Sequence, residues 1–232
     1  MVWCSMPMKP QIILTSYIRP KYLIPTVESL RQDDVELYII DGGSDEETIK
    51  FIKQNSDGHL LFKGNPGADY LKTEGIKKFI TNRRFIITSD DLIYTKGYSK
   101  QLMDSHAQLN QDGLFWDFVA CGKERHHSLP YCKKYIDVNG ITVMPVRFGQ
   151  VSGAVITTEL CKLVGYFPII GQSGQGDLAY SNLMRNRGIK YGYFKDIIID
   201  SIGRDKYKDY PEYSKAFKVD EAKYVQSAKE YK

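Results

Sequence analysis

The sequence predicts a single α/β domain built on a mostly parallel central sheet. Short β-branched runs alternate four times with segments of helical apolar spacing over roughly the first ninety residues. Three of the runs end in clusters of hydroxyl and charged side chains, at residues 15–19, 41–45 and 89–91. Parallel sheets gather their chemistry at the carboxyl ends of their strands, so these clusters are expected to meet along one edge. Composition agrees: 232 residues, 42% apolar and 12% aromatic, give a chain able to hide roughly 70% of its unfolded surface. Disorder is excluded.

Taken in order, Gln11 to Ser16 (QIILTS) is a buried strand that runs into a loop before Arg19-Pro20. Tyr22 to Leu30 has helical spacing through Leu23, Val27 and Leu30. Leu37 to Ile40 is a second strand, stopped by Asp41-Gly42-Gly43-Ser44-Asp45. There Ser44 or Asp45 caps a helix with Glu46 and Glu47 in its first turn. His59 to Phe62 is a third strand, Tyr70 to Ile80 a helix, and Arg84 to Thr88 a fourth strand ending at Ser89-Asp90-Asp91. The second half is less regular. Val143 to Phe148, Val151 to Thr157 and Ile197 to Asp200 read as strands, with helices over Thr158 to Val164 and Leu178 to Arg187. Residues 169–177 (IIGQSGQGD) read as a glycine-rich loop. Val219 to Tyr231 is expected either as a helix packed by Val219, Tyr224 and Val225 or as a surface segment.

The net charge of +4 is unevenly spread. Residues 1–120 hold 14 Lys and Arg against 16 Asp and Glu, a balance of −2, and the remainder holds 18 against 12, a balance of +6. A basic second half suits phosphate, an acidic acceptor or a headgroup surface, although a solvated lysine-rich face accounts for it more simply. Cys4, Cys121, Cys132 and Cys161 form no CxxC pair, which fits a reduced intracellular protein. Cys121 and Cys132 bracket His126 and His127 with four residues on each side, a spacing unlike the tight ligand pairs of zinc sites. No apolar run approaches the roughly 18 residues that cross a bilayer, and MVWCSMPMKP lacks the basic start and apolar stretch of a signal peptide. A cytoplasmic protein without a transmembrane segment is expected.

Asp90 and Asp91 form the sharpest chemical signal. Adjacent carboxylates at a strand end repel, and a cation or hydrogen-bond donors must offset the charge. A divalent ion such as Mg²⁺ or Mn²⁺ provides such an offset. Asp177, before the Leu178 helix, is placed to serve as its N-cap.

The stretch IILTSYIRPKYLIPTVESL followed by ELYIIDGGSDEETIKFI resembles the opening of GT-A glycosyltransferases of the large inverting family 2. The resemblance continues through TSDDLIY and through SGAVITTELCKLVGYFP and GQGDLAYSNLMRNRGIKYGY, covering roughly residues 10–205. It implies a Rossmann-like α/β/α sandwich that binds a nucleotide-diphosphate sugar, with UDP as the default. Residues 1–98 would then bind the donor, residues 99–205 the acceptor, and 206–232 would be a tail. By the same resemblance Thr15, Tyr17 and Arg19 contact the nucleotide, Asp41 the base and ribose, and Asp90 the ribose. Lys72, in the Lys72-Thr73-Glu74-Gly75-Ile76 pattern, meets phosphate or base, or is simply a solvated helix lysine. Asp91 becomes the metal ligand of a DXD-like motif, and Asp177 the base that deprotonates an acceptor hydroxyl. The chain departs from the family at Gly42, at Gly176 and at Ser201, where a second acid, the first acid of an acidic pair and a histidine are usual.

Three rivals remain open at this point. A nucleotidyltransferase would need a glycine-rich basic loop after the first strand, and Thr15-Ser16-Tyr17-Ile18-Arg19 is not one. A non-catalytic nucleotide-sugar-binding module would account for the three departures. A sugar transferase acting on modified DNA would use the basic half, but a carbohydrate acceptor is preferred because no aromatic-interleaved basic motif is present.

Overall fold

The computed structural model describes residues 9–112, 116–122, 134–146, 151–169, 176–203, 209 and 218. The first half follows the expected alternation: β1 (Gln11–Ser16), α1 (Pro20–Leu30), β2 (Glu36–Asp41), α2 (Glu46–Asn55), β3 (Gly58–Leu61), α3 (Ala68–Phe79) and β4 (Arg84–Ser89). Local chemistry sets the helix starts. Pro20 at the first position of α1 supplies a pre-set φ and lacks the N–H that would go unpaired. Asp45 caps α2 by accepting the Thr48 N–H at 2.8 Å, with Glu46 and Glu47 placed favourably at the positive end of the helix dipole.

The second half adds β5 (Leu92–Ile93), α4 (Tyr98–Leu109), β6 (Phe118–Gly122), β7 (Ile136–Val138), β8 (Ile141–Pro145), β9 (Ala154–Thr157), α5 (Thr158–Val164), α6 (Gly176–Asn186), β10 (Tyr191–Ile198) and β11 (Asp200–Ser201). One nine-stranded sheet has the order β3-β2-β1-β4-β9-β6-β10-β8-β7, and β11 pairs separately with β5. β1 to β4 run parallel, β9 is inserted antiparallel between β4 and β6, and β8 opposes β10. The sheet is therefore mostly parallel, as expected.

Alternation along the buried strands sends side chains to two cores. Ile12 and Leu14 face one side, where Leu23 and Val27 of α1, Ile52 of α2 and Leu102 of α4 cover the sheet. Ile13 faces the other, covered by Leu71 and Ile76 of α3, Leu160 of α5, and Tyr180 and Met184 of α6. The result is a three-layer α/β/α sandwich. Register matters most for function: Thr15 lies beside Ser89 and Ser16 beside Asp41, so the three polar strand ends meet.

The structure corrects several sequence boundaries. The strand expected at 151–157 starts only at Ala154, because Gly153 adopts φ +75° and a Cβ there would meet Ile199 Cδ1 at 2.6 Å. β10 starts at Tyr191 rather than Ile197; its Gly192 lies where a Cβ would be 2.5 Å from the Met144 carbonyl oxygen, so the glycine permits close pairing with β8. α6 begins at Gly176, which places Asp177 inside the first turn instead of at a cap. α4 and β6 carried no periodic signal that the sequence reading used. Cys4, His126, His127, Cys132 and the segment 219–231 lie outside the described residues.

His106 of α4 is 1% exposed, and burial, helped by the nearby Arg84 cation, pushes its pKa down to about 3. Native His106 thus stays neutral where an unfolded chain takes up a proton, and stability falls as pH drops from 6.5 toward 3. At about 1.36 kcal/mol per pH unit of displacement, the loss is roughly 4 kcal/mol. Urea unfolding of His106→Leu is expected to show a correspondingly shallower decline over that pH range than the parent protein; parallel curves would contradict this.

Candidate active site

The strand-end clusters are locked together by a buried ion pair. Asp90 follows β4 with no exposure, and Arg19, the N-cap residue of α1, is 7% exposed. The Arg19 guanidinium clasps Asp90 with two nitrogens, Nη2 on Oδ1 and Nε on Oδ2 at 3.2 Å, and the Ser16 hydroxyl donates to Oδ2 at 3.1 Å. Such bidentate pairing suits the planar guanidinium and fixes its orientation. Between them, Ile18 adopts φ +42°, a conformation that β-branched residues avoid, while its N–H donates to Ser44 Oγ at 3.1 Å. Strain of this kind persists where surrounding contacts over-determine the backbone.

Asp41 is fully buried and spends its carboxylate on its own loop. It accepts from the N–H groups of Gly43 at 2.9 Å and Ser44 at 2.8 Å and from the Ser44 hydroxyl at 2.6 Å. Gly43 has φ +111°, and a Cβ there would come within 2.8 Å of the Gly64 nitrogen. At Gly42, one of the departures from the family pattern, a Cβ would lie 3.3 Å from both Tyr17 Cδ2 and Leu71 Cδ1, so a side chain there would require these neighbours to shift by a few tenths of an ångström. Thr15 Oγ1 reaches only the Thr88 carbonyl, at 3.5 Å.

Asp91, 5% exposed, is set apart from Asp90 in its partners. Its Oδ1 accepts from the Ser89 hydroxyl at 2.5 Å and its backbone carbonyl accepts from the Ile202 N–H at 3.0 Å. Pairing of β11 with β5 carries Ser201 and Gly203 to this place, and a Cβ on Gly203 would sit 2.6 Å from Asp91 Oδ2. The glycine thus lets the chain pass directly against the Asp91 carboxylate. Among the described residues no group of three or more His, Cys, Asp or Glu side chains is gathered for a metal. One carboxylate with an adjacent hydroxyl suits Mg²⁺ or Mn²⁺ that draws its other oxygens from diphosphate and water.

A second cluster joins α3 to α6. Lys72 Nζ lies 2.9 Å from Asp177 Oδ1 and 3.1 Å from Asp69 Oδ1, with the Phe167 ring centroid 5.1 Å away. Asp177 Oδ2 accepts the Val151 N–H at 3.2 Å, and Asp69 Oδ2 accepts the Gly176 N–H at 3.0 Å. Burial acts to lower the Lys72 pKa, but the two carboxylates outweigh it and hold the ammonium well above the ordinary lysine range. Asp69, with no exposure, is pushed up by its own burial against the pull of Lys72. Lys72 is therefore a buried counter-ion rather than a solvated helix lysine. The two clusters share the sheet edge: Val151, which binds Asp177, is two residues from Gly153, whose N–H donates to Ile87 of β4.

Sequence reading missed Asp69, Ser16, Ser44 and Ser89. Ser16, Ser44 and Ser89 stand inside the motifs already singled out, and Asp69 lies three residues before Lys72 on the same helix face, which is the signal that could have found it. A cavity of about 400 Å³ lined by Trp116, Ile136, Pro145, Ile189 and Tyr191 lies at the opposite edge of the sheet, where β6 and β10 begin, and contains none of these residues.

The pair at the head of the site is expected to dominate local stability. Asp90→Ala leaves the Arg19 guanidinium buried without its carboxylate and should lower the unfolding free energy by about 3–5 kcal/mol. Urea denaturation measures this; a loss below about 1 kcal/mol would show that the pair does not hold the strand ends.

Comparison with known proteins agrees with this architecture. A search of curated proteins returns no match. Among solved structures, S. aureus TarS superposes with a TM-score of 0.63 at 15% identity, over 87% of this chain and 38% of that one. Its 1–349 fragment gives 0.60 at 16%, over 87% and 63%. GalNAc-T7, solved with UDP, GalNAc and Mn²⁺, gives 0.64 at 12%, over 83% and 43%. This chain spans less than two thirds of each of these structures, and at such identities the likeness establishes the GT-A fold. The family model for glycosyl transferase family 2 matches residues 11–147. With more than half of its length matched, the chain belongs to glycosyl transferase family 2.

Proposed function

We propose that the protein transfers a sugar from a nucleoside-diphosphate donor, UDP-linked by default, to a carbohydrate hydroxyl with inversion. Residues up to about 98 bind the donor and the more basic remainder binds the acceptor. The observation that carries this reading is the placement of two separately supported carboxylates, Asp91 and Asp177, on one sheet edge. The UDP and Mn²⁺ in the GalNAc-T7 structure support the choice of base and metal by analogy of fold alone.

Asp91 would hold the divalent ion, which supplies positive charge against the departing diphosphate. Arg19 and Asp90 fix the loop after β1, and Thr15, Tyr17 and Asp41 border the place for the nucleoside. Asp177 takes the proton of the acceptor hydroxyl; the acceptor oxygen forms its bond to the anomeric carbon as the bond to the diphosphate oxygen breaks and its electron pair leaves with the nucleotide. The side chain of Asp177 is 20% exposed, enough for an acceptor hydroxyl to approach it.

One observation favours a second reading. The Lys72–Asp177 ion pair occupies the proposed base, as in a module that binds nucleotide sugar without turning it over. Hydrolysis of a panel of UDP-hexoses with Mn²⁺ separates the two. The transferase reading expects turnover whose first-formed free sugar, seen by ¹H NMR, has the inverted anomeric configuration. Asp177→Asn should lower kcat by about 10²–10⁴-fold with KM little changed, and Asp91→Asn should remove the dependence on Mn²⁺. Binding without turnover of any donor would establish the module instead.

A further inference from the structure

Gly176 stands where the family usually has the first acid of an acidic pair, yet its surroundings are acidic. A Cβ built on Gly176 would lie 2.2 Å from Asp69 Oδ2, 2.3 Å from Cγ and 2.5 Å from Oδ1. The volume that a side chain at 176 would fill is occupied by a carboxylate that arrives from another helix, 107 residues away in sequence. That carboxylate also accepts the N–H of the first residue of α6, so it caps this helix from outside and complements the positive end of its dipole.

We infer that Asp69 is a positioning residue for the base: from α3 it supplies the carboxylate absent at Gly176 and keeps the Lys72 charge compensated when Asp177 takes a proton. The inference rests on the transferase reading above. Its physics is a charge count. Counted formally, two carboxylates around one ammonium carry one net negative charge. A proton taken from the acceptor neutralises Asp177 and leaves the Lys72–Asp69 pair, which is balanced. Without Asp69 the same proton transfer strands the Lys72 ammonium, whose side chain is 8% exposed, beside a neutral acid. Among the described residues the groups facing this centre are Asp69 and Lys72 from α3, Asp177 and the Gly176 N–H from α6, the Val151 N–H, and the Phe167 ring. No step requires an agent other than the acceptor proton.

The carboxylate can be moved to test this. Asp69→Ala, Gly176→Asp and the double variant Asp69→Ala/Gly176→Asp are compared with the parent protein by urea unfolding and by hydrolysis of UDP-hexoses with Mn²⁺ between pH 5 and 9. Asp69→Ala is expected to lose at least about tenfold in kcat, with KM for the donor within about twofold, and to narrow the active pH range. Gly176→Asp forces two carboxylates into one volume and should lose both stability and turnover. The double variant restores one carboxylate at that place, and should regain kcat to within about threefold of the parent and most of the lost urea midpoint. Turnover of Asp69→Ala equal to the parent, or a folded double variant no better than either single one, overturns the inference. If the parent turns over no UDP-hexose, the transferase reading fails on its own, and the unfolding series decides for Asp69: non-additive recovery in the double variant supports its tenancy of the 176 site, and additive losses overturn it.

Discussion

A carboxylate with no solvent exposure at the end of a β-strand must have its charge offset, and the Asp90–Arg19 pair is the contact on which the candidate site depends. Asp90 terminates β4, Arg19 opens α1, and Ser16 ends β1, so a single bidentate ion pair with one added hydroxyl ties three elements at the sheet edge. Breaking it leaves a buried guanidinium without its carboxylate, a penalty of about 3–5 kcal/mol and hence a large share of the 5–15 kcal/mol by which domains are stable. With Asp90 turned inward in this way, Asp91 has different surroundings, the Ser89 hydroxyl and the close backbone of Gly203. Two adjacent identical residues thus stand in different surroundings.

The second cluster follows the same logic on the other side of the sheet. Lys72 is buried against Phe167 and would be unfavourable there without its two acids. Those acids come from different helices, so neutralising one cation also ties α6 to α3. Gly176 is the geometric consequence: the helix start can approach Asp69 this closely only without a Cβ.

Much of this was legible in the sequence because it is local. The QIILTS strand, the strand read at Leu37 to Ile40, a helix cap at Ser44 or Asp45 and the alternation of elements are set by neighbours a few residues apart; the structure extends the second strand to Glu36–Asp41 and chooses Asp45. Motif resemblance reached Asp90, Asp91 and Asp177, but the contacts that distinguish their surroundings span long separations. Arg19 reaches Asp90 across 71 residues and Asp69 reaches Gly176 across 107, and no periodicity encodes either. The antiparallel insertion of β9 between β4 and β6 was equally invisible, because a short apolar run carries no direction. Gly176 reads as a loss from a family pattern until the packing of Asp69 shows what occupies the space.

The proposed transfer requires that the edge where β1, β2 and β4 end bind a nucleoside diphosphate with a divalent ion held by Asp91. Calorimetric titration of UDP into the parent protein and into Asp91→Asn, each with and without Mn²⁺, tests it most directly. The account predicts that Mn²⁺ tightens UDP binding at least about tenfold, roughly 1.4 kcal/mol, in the parent protein and leaves Asp91→Asn unchanged. Equal affinities in all four titrations, or a Mn²⁺ effect that survives in Asp91→Asn, would contradict it.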